Sequence, residues 1–154
     1  MIQDRLFGQP QTELTSDDYY TPRWVFDTLG LRFDLDVASP PGGPPFVPCD
    51  RYYTQEDDGL AQPWHGRVWM NPPFSNPSPW IERFLEHQNG VAIVPSSNGS
   101  WYDTLWNSSA AITIGPKKFD FLRGSGQQGI SRRINFVAFG PDNVAAISKF
   151  GKVR

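Results

Sequence analysis

Asn71-Pro72-Pro73-Phe74 is the densest concentration of chemistry in the sequence. Two consecutive prolines fix the backbone and remove two N–H donors, so the carbonyls of Asn71 and Pro72 are held pointing outward. The Asn71 side-chain amide oxygen adds a further acceptor beside them. Converging acceptors suit a group that offers two N–H donors, such as the exocyclic amine of a nucleobase, and draw electron density onto its nitrogen. Phe74 supplies a ring face on which a base can stack. The same tetrapeptide also serves elsewhere as a plain turn; its place directly after an apolar strand favours the chemical reading.

Charge is distributed unevenly behind a formal net charge of −2 over 154 residues. Residues 1 to 109 carry 6 Lys/Arg and 14 Asp/Glu, whereas residues 110 to 154 carry 8 and 2. Lys117, Lys118, Arg123, Arg132 and Arg133 bracket a segment rich in Gly, Ser and Gln. Two readings stay open for it: a basic loop that meets a phosphate backbone, or the solvated surface of a hairpin. Cys49 is the single cysteine, and with His65 and His87 it falls short of a structural zinc set, so reducing cytoplasm is the expected compartment. The longest apolar runs, such as the one around Val91 to Val94, are far too short for a membrane span or an export signal, and no membrane partner is expected.

The elements that must position these residues follow from periodicity and punctuation. Residues 1 to 18 read as a loose polar arm and residues 19 to 154 as one domain. Thr21 and Pro22 read as the N-cap and first residue of a short helix that Gly30 stops. Leu31 to Val37 alternates as a strand, and Ser39 to Pro48, with five prolines and two glycines, excludes regular structure. Arg67 to Met70 is a strand ending in the Asn-Pro-Pro motif, Pro79 to Gln88 a helix, and Gly90 to Pro95 a buried strand. Ser100 opens a further helix, with Asp103 as a capping box. Ala110 to Ile114 and Ile134 to Phe139 are strands on either side of the basic segment, and Asn143 to Phe150 is a terminal helix. Apolar strands alternating with helices predict an α/β domain with a mostly parallel sheet covered on both faces and an antiparallel hairpin near the C-terminus.

Taken in order, Tyr20-Thr21-Pro22, Phe33-Asp34-Leu35-Asp36-Val37-Ala38, Tyr53-Thr54 with Asp57-Asp58-Gly59-Leu60 and Trp64, and Val68 to Ser75 form a recognisable series. Val94-Pro95, Trp101 and Gly115 to Phe119 continue it. The series resembles phage-type Dam DNA N6-adenine methyltransferases over residues 17 to 140. The resemblance implies a minimal Rossmann-like fold, S-adenosyl-L-methionine as methyl donor and DNA as partner. It assigns amine binding and catalysis to Asn71, Pro72, Pro73 and Phe74, and cofactor contacts to Tyr20, Thr21, Pro22, Asp36, Ala38 and Asp58. Asp36 would meet the methionine ammonium and Asp58 the adenosine. Asp57 and Asp58 read equally as loop caps before Gly59, and Tyr19, Tyr20 and Trp101 as aromatic walls or plain packing.

Two departures from the family pattern stand out. The widespread Phe-x-Gly-x-Gly cofactor loop is absent, replaced after Asp36 by Val37-Ala38-Ser39-Pro40-Pro41-Gly42-Gly43. Only 35 positions separate Asp36 from Asn71, so the first crossover helix and one strand are expected to be reduced. Pro48-Cys49 suggests a cysteine nucleophile of the cytosine C5 kind, but such a residue would need the loop position that Asn71 to Phe74 occupies. Cytosine N4 methylation and a non-catalytic DNA-binding module of the same fold remain as alternatives. With little chain left for a separate target-recognition domain, a homodimer would supply further DNA contact.

Overall fold

The computed structural model describes residues 20–97, 99–115, 117–122 and 128–154. The polar arm expected at residues 1 to 18, Tyr19 and Arg123 lie outside them. Helix α1 (Arg23–Leu29) buries Val25, Phe26 and Leu29 and ends at Gly30, whose left-handed φ of 66° lets its N–H reach the Phe26 carbonyl. It begins one residue later than the sequence predicts, with Pro22 rather than Thr21 at the cap and no side-chain cap bond. The Thr21 hydroxyl is engaged elsewhere, by Asn71.

Strand β1 (Phe33–Asp36) pairs in parallel with β2 (Cys49–Tyr52) on one side and with β3 (Val68–Met70) on the other. Between β1 and β2 the chain passes through the proline-rich segment, where a crossover helix would otherwise stand. Strand β2 has no counterpart among the expected elements. It is a mostly exposed edge strand whose Asp50 and Arg51 give it no apolar signature. Helix α2 (Ser78–His87) follows the Asn-Pro-Pro loop, and β4 (Gly90–Pro95), buried throughout, pairs in parallel with β3.

After α3 (Ser100–Trp106) come β5 (Ala111–Ile112), β6 (Lys117–Leu122) and the twelve-residue β7 (Gln128–Phe139). The expected capping box does not form: Gly99 is the cap residue and no side chain caps the helix. Strand β7 runs antiparallel to β4 on one edge and to β5 and β6 on the other. The order is β2-β1-β3-β4-β7-β5, with β6 also on β7, so among the described residues β7 alone opposes the common strand direction. Helix α4 (Pro141–Ile147) and a 3-10 turn (Ser148–Phe150) divide the terminal helix foreseen from Asn143.

Strand alternation sends side chains to two cores. One holds α1 and α4 residues with Phe33, Trp69, Phe119, Phe121 and Phe136; the other holds Ile81, Phe84 and Leu105 of α2 and α3 with Leu35, Met70 and Val94. Trp69 anchors the first, its ring 4.8 Å from Phe26 and 5.7 Å from Phe33. Fully burying such rings stabilises a fold by about 1.5–3 kcal/mol each. Here it also fixes β3, and so the loop that follows it.

Candidate active site

The chain runs from β1 outward to β2, then back across β1 to β3, so neighbours β1 and β3 mark the switch point of the sheet. Ligands of open α/β sheets bind at the carboxyl ends of strands at such a point. Asp36 ends β1 and Asn71 follows the last residue of β3, with Asp36 in register with Trp69. A cleft of about 550 Å³ opens there, a size suited to a nucleoside-sized ligand.

Of the residues assigned to a cofactor, Tyr20, Thr21, Asp36, Ala38 and Asp58 line this cleft, and Asn71, Pro72 and Pro73 of the motif line it too. Pro22 is buried at the start of α1, and Phe74 is not among the lining residues but packs against Phe121 beside them. The structure adds a wall that sequence reasoning left unassigned, formed by Pro40, Pro41, Pro44, Pro45, Phe46 and Val47, with Trp80 and Gly59 also at the cleft. The signal was available in the prolines of this segment, four of which form the wall: their fixed backbones make a rigid apolar surface without regular hydrogen bonding. Trp101 packs against the α2 and α3 core instead.

Asp36 is 2% exposed, and its carboxylate accepts the Ala38 N–H at 3.1 Å. Burial pushes its pKa up to about 7, and the Ala38 bond only partly offsets this. A buried carboxylate at the wall of a cleft is suited to a cationic ligand group. Asp57 and Asp58 separate cleanly. Asp57 closes a turn by accepting the Thr54 N–H at 2.9 Å and the Thr54 hydroxyl at 3.1 Å, whereas Asp58 lines the cleft. Asp58 itself holds a left-handed φ of 57°.

Gly59 then passes so close to β1 that a Cβ there would stand 2.1 Å from the Val37 carbonyl oxygen. The segment is tied to α2 by Arg83, which donates to the Leu60 and Gln62 carbonyls at 2.8 Å each and lies 4.8 Å from the Trp64 ring. Trp64 in turn donates its indole N–H to Gly59 at 2.8 Å.

Asn71 donates its side-chain Nδ2 to the Thr21 hydroxyl at 3.3 Å. That bond turns the amide so that Oδ1 remains as the acceptor, beside a buried Pro72. Beyond it, Phe74 packs edge-on against Phe121 of β6 at 5.7 Å, and the Arg132 guanidinium lies 5.5 Å from the Phe74 ring centre. Tyr20 exchanges backbone hydrogen bonds with Leu122 at 2.7 and 2.8 Å, fastening the segment that carries Thr21 to the same hairpin. After β4, Ser96 Oγ and Tyr102 donate to Asn135 at 2.8 and 2.7 Å, and Asn135 donates to the Thr113 carbonyl at 2.8 Å, so the loop after β4 is held on β7.

The cations grouped in the sequence are divided by the hairpin register. Lys118 stands directly opposite Arg133, both exposed, while Arg132 stands opposite the buried Phe119. Lys117, at the base of the hairpin, extends toward Gly151, where a Cβ would come 2.9 Å from its Nζ. Among the described residues, no helix is long and apolar enough to cross a membrane.

Comparison with known proteins places the chain in a family. The family model described as DNA N-6-adenine-methyltransferase (Dam) matches residues 10–144. A DNA N-6-adenine-methyltransferase of Haemophilus phage HP1 is 33% identical over 118 residues, 69% of this chain and 66% of the relative, so the match spans just under two thirds of that relative's length. No solved structure matches the chain. With a family match across residues 10–144, most of its length, the chain belongs to the DNA N-6-adenine-methyltransferase (Dam) family.

Proposed function

We propose that this protein transfers a methyl group from S-adenosyl-L-methionine to the N6 amine of adenine in DNA, on a reduced Rossmann-like scaffold. The observation that carries the reading is the pairing of Asp36 and Asn71 in one cleft at the switch point. The missing helix between β1 and β2 accounts for the reduction.

The residues fit the cofactor. Asp36, buried with a single backbone donor on its carboxylate, offers charge to an ammonium group, and the proline wall with Phe46 and Trp80 offers apolar surface to an adenosine. When bound, the cofactor supplies a methyl group on a positively charged sulfur. Asp58 stands at the same cleft to accept from adenosine hydroxyls or amine.

Catalysis by the chain is then a matter of alignment. Asn71 Oδ1 and the Pro72 carbonyl accept the two N–H bonds of the target amine and point its lone pair at the methyl group. Positive charge would grow on that nitrogen as the nitrogen–carbon bond forms and the carbon–sulfur bond breaks, the sulfur leaving as a neutral thioether and one N–H proton then passing to solvent; the two oxygens, already oriented by prolines and by Thr21, would stabilise that charge more than they stabilise the neutral amine. A base in a duplex must first leave the stack, at a cost of a few kcal/mol that pocket hydrogen bonds offset.

Incubating the protein with methyl-labelled cofactor and unmethylated DNA, then digesting to nucleosides, tests the reading. Label in N6-methyladenine is expected. Label in N4-methylcytosine, or unlabelled DNA with intact cofactor binding, would contradict it.

A further inference from the structure

The β6–β7 hairpin overhangs the edge of the sheet where the cleft opens. Strand β4 ends its pairing with β7 at Pro95 opposite Ile134, and residues 128–133 of β7 continue past that point with β6 alongside. Any DNA that brings a base to Asn71 therefore meets the hairpin. Directly opposite residues of an antiparallel pair share a face, so the register defines two faces. Phe119, Phe121 and Arg132 look toward α1 and the catalytic loop; Lys118, Asp120, Ser131 and Arg133 look the other way.

Lys118 and Arg133 are an exposed like-charge pair set directly across two strands, an arrangement that is unfavourable on its own. An anion between them reverses the sign of that contribution. Asp120, the acidic group on the same face, has its carboxylate bonded by the Ser131 hydroxyl. The Arg133 carbonyl also accepts the Ser96 N–H at 2.9 Å, which ties this face to the loop after β4. Arg132 differs in each respect. It is half-buried, and its guanidinium lies over the Phe74 ring.

We propose that the hairpin divides its cations between two tasks: Lys118 and Arg133 hold a DNA phosphate, and Arg132 is a positioning residue that sets the Phe74 ring of the catalytic loop. The inference rests on DNA being the substrate. The planar guanidinium suits the second task, because it lies flat against an aromatic face as an ammonium does not.

DNA affinity across a salt series, with kcat and KM for DNA, tests the division in four single variants and one double variant. Lys118→Ala and Arg133→Ala should each flatten the plot of log affinity against log salt, by up to about 0.9 unit for each phosphate that is no longer neutralised. Arg132→Ala should keep the wild-type slope while kcat falls by on the order of ten- to a hundredfold, the scale of a misplaced reacting group. Arg132→Lys, which keeps the charge without the planar face, should share the loss of kcat. Flattening by Arg132→Ala with full turnover, recovery of kcat by Arg132→Lys, or an unchanged slope in a folded Lys118→Ala/Arg133→Ala protein would overturn the division. The slopes judge the phosphate task of Lys118 and Arg133, and its absence from Arg132, whether or not methyl transfer is seen, so absent transfer counts against the proposed activity and not against that assignment.

Discussion

The Thr21 hydroxyl and the Asn71 side-chain amide meet at 3.3 Å across 50 residues of sequence. Thr21 precedes α1, on a segment fastened to β6, and Asn71 follows β3, so the bond joins two separately positioned walls of the cleft. With Nδ2 committed to Thr21, Oδ1 is left as the free acceptor, which the proposed mechanism assigns to the substrate amine. Replacing Thr21 by valine keeps the shape and removes the acceptor. A hydrogen bond of this kind contributes about 1 kcal/mol, so Thr21→Val should lower kcat about fivefold, with a smaller effect on the dissociation constant of the cofactor. Thr21→Ser should restore most of the rate. Single-turnover kinetics beside calorimetry separates the two quantities, and a Thr21→Val enzyme with unchanged rate would remove this bond from the account.

If Asp36 meets the cofactor's ammonium as proposed, cofactor affinity should depend on pH in a definite direction. In the free protein burial holds its pKa at about 7, and a cationic ligand group beside it favours the carboxylate. Affinity should therefore weaken about tenfold per pH unit below about 7 and level off above it. The adjacent Cys49 thiol, pushed up to about 11 chiefly by burial and next by Asp36, stays neutral through this window. Asp36→Asn should bind more weakly and lose the dependence, as calorimetry from pH 5.5 to 8.5 would read. For the stability of the free protein the sign is the opposite. The folded-state pKa lies above the ordinary carboxylate value of 3.8, so the contribution of this group to stability declines as pH rises from about 4 to about 7.

Gly59 is required by contact with the backbone of its neighbour. A methyl group there would collide with the Val37 carbonyl oxygen and press on Trp80. Gly59→Ala should destabilise the protein by about 1–3 kcal/mol, the usual scale for forced overpacking, and displace Asp58 from the cleft. Urea unfolding together with cofactor titration would show both effects, and wild-type values for both would mean the segment yields more freely than its ties to Arg83 and Trp64 imply.

Local signals in the sequence are sufficient for much of this structure. Gly90 to Pro95 is apolar throughout and bounded by a glycine and a proline, and β4 has those limits. The Asn-Pro-Pro loop after a strand, the acidic end of β1 and the irregular proline segment all follow from neighbouring residues. What stays hidden depends on distant partners. Cys49–Tyr52 is polar and pairs with β1 at an edge, so its extended form comes from its neighbour's hydrogen bonds. Phe119 and Phe121 alternate with Lys118 and Asp120, yet the surrounding basic residues mask a strand that only β7 completes. The separation of Arg132 from Arg133 is a consequence of strand register, and the Thr21–Asn71 bond of tertiary folding; neither is written in local sequence.

The central claim, that Asn71 holds the reacting amine at the switch-point cleft, is tested most directly by Asn71→Ala. Methyl transfer to DNA under single-turnover conditions should fall by on the order of 10²- to 10³-fold, the scale on which removing one preorganised charge-stabilising group acts. Calorimetry on the same protein should show the cofactor still binding, because Asp36, Asp58 and the proline wall remain. Methyl transfer at the wild-type rate by the folded Asn71→Ala protein would contradict the account.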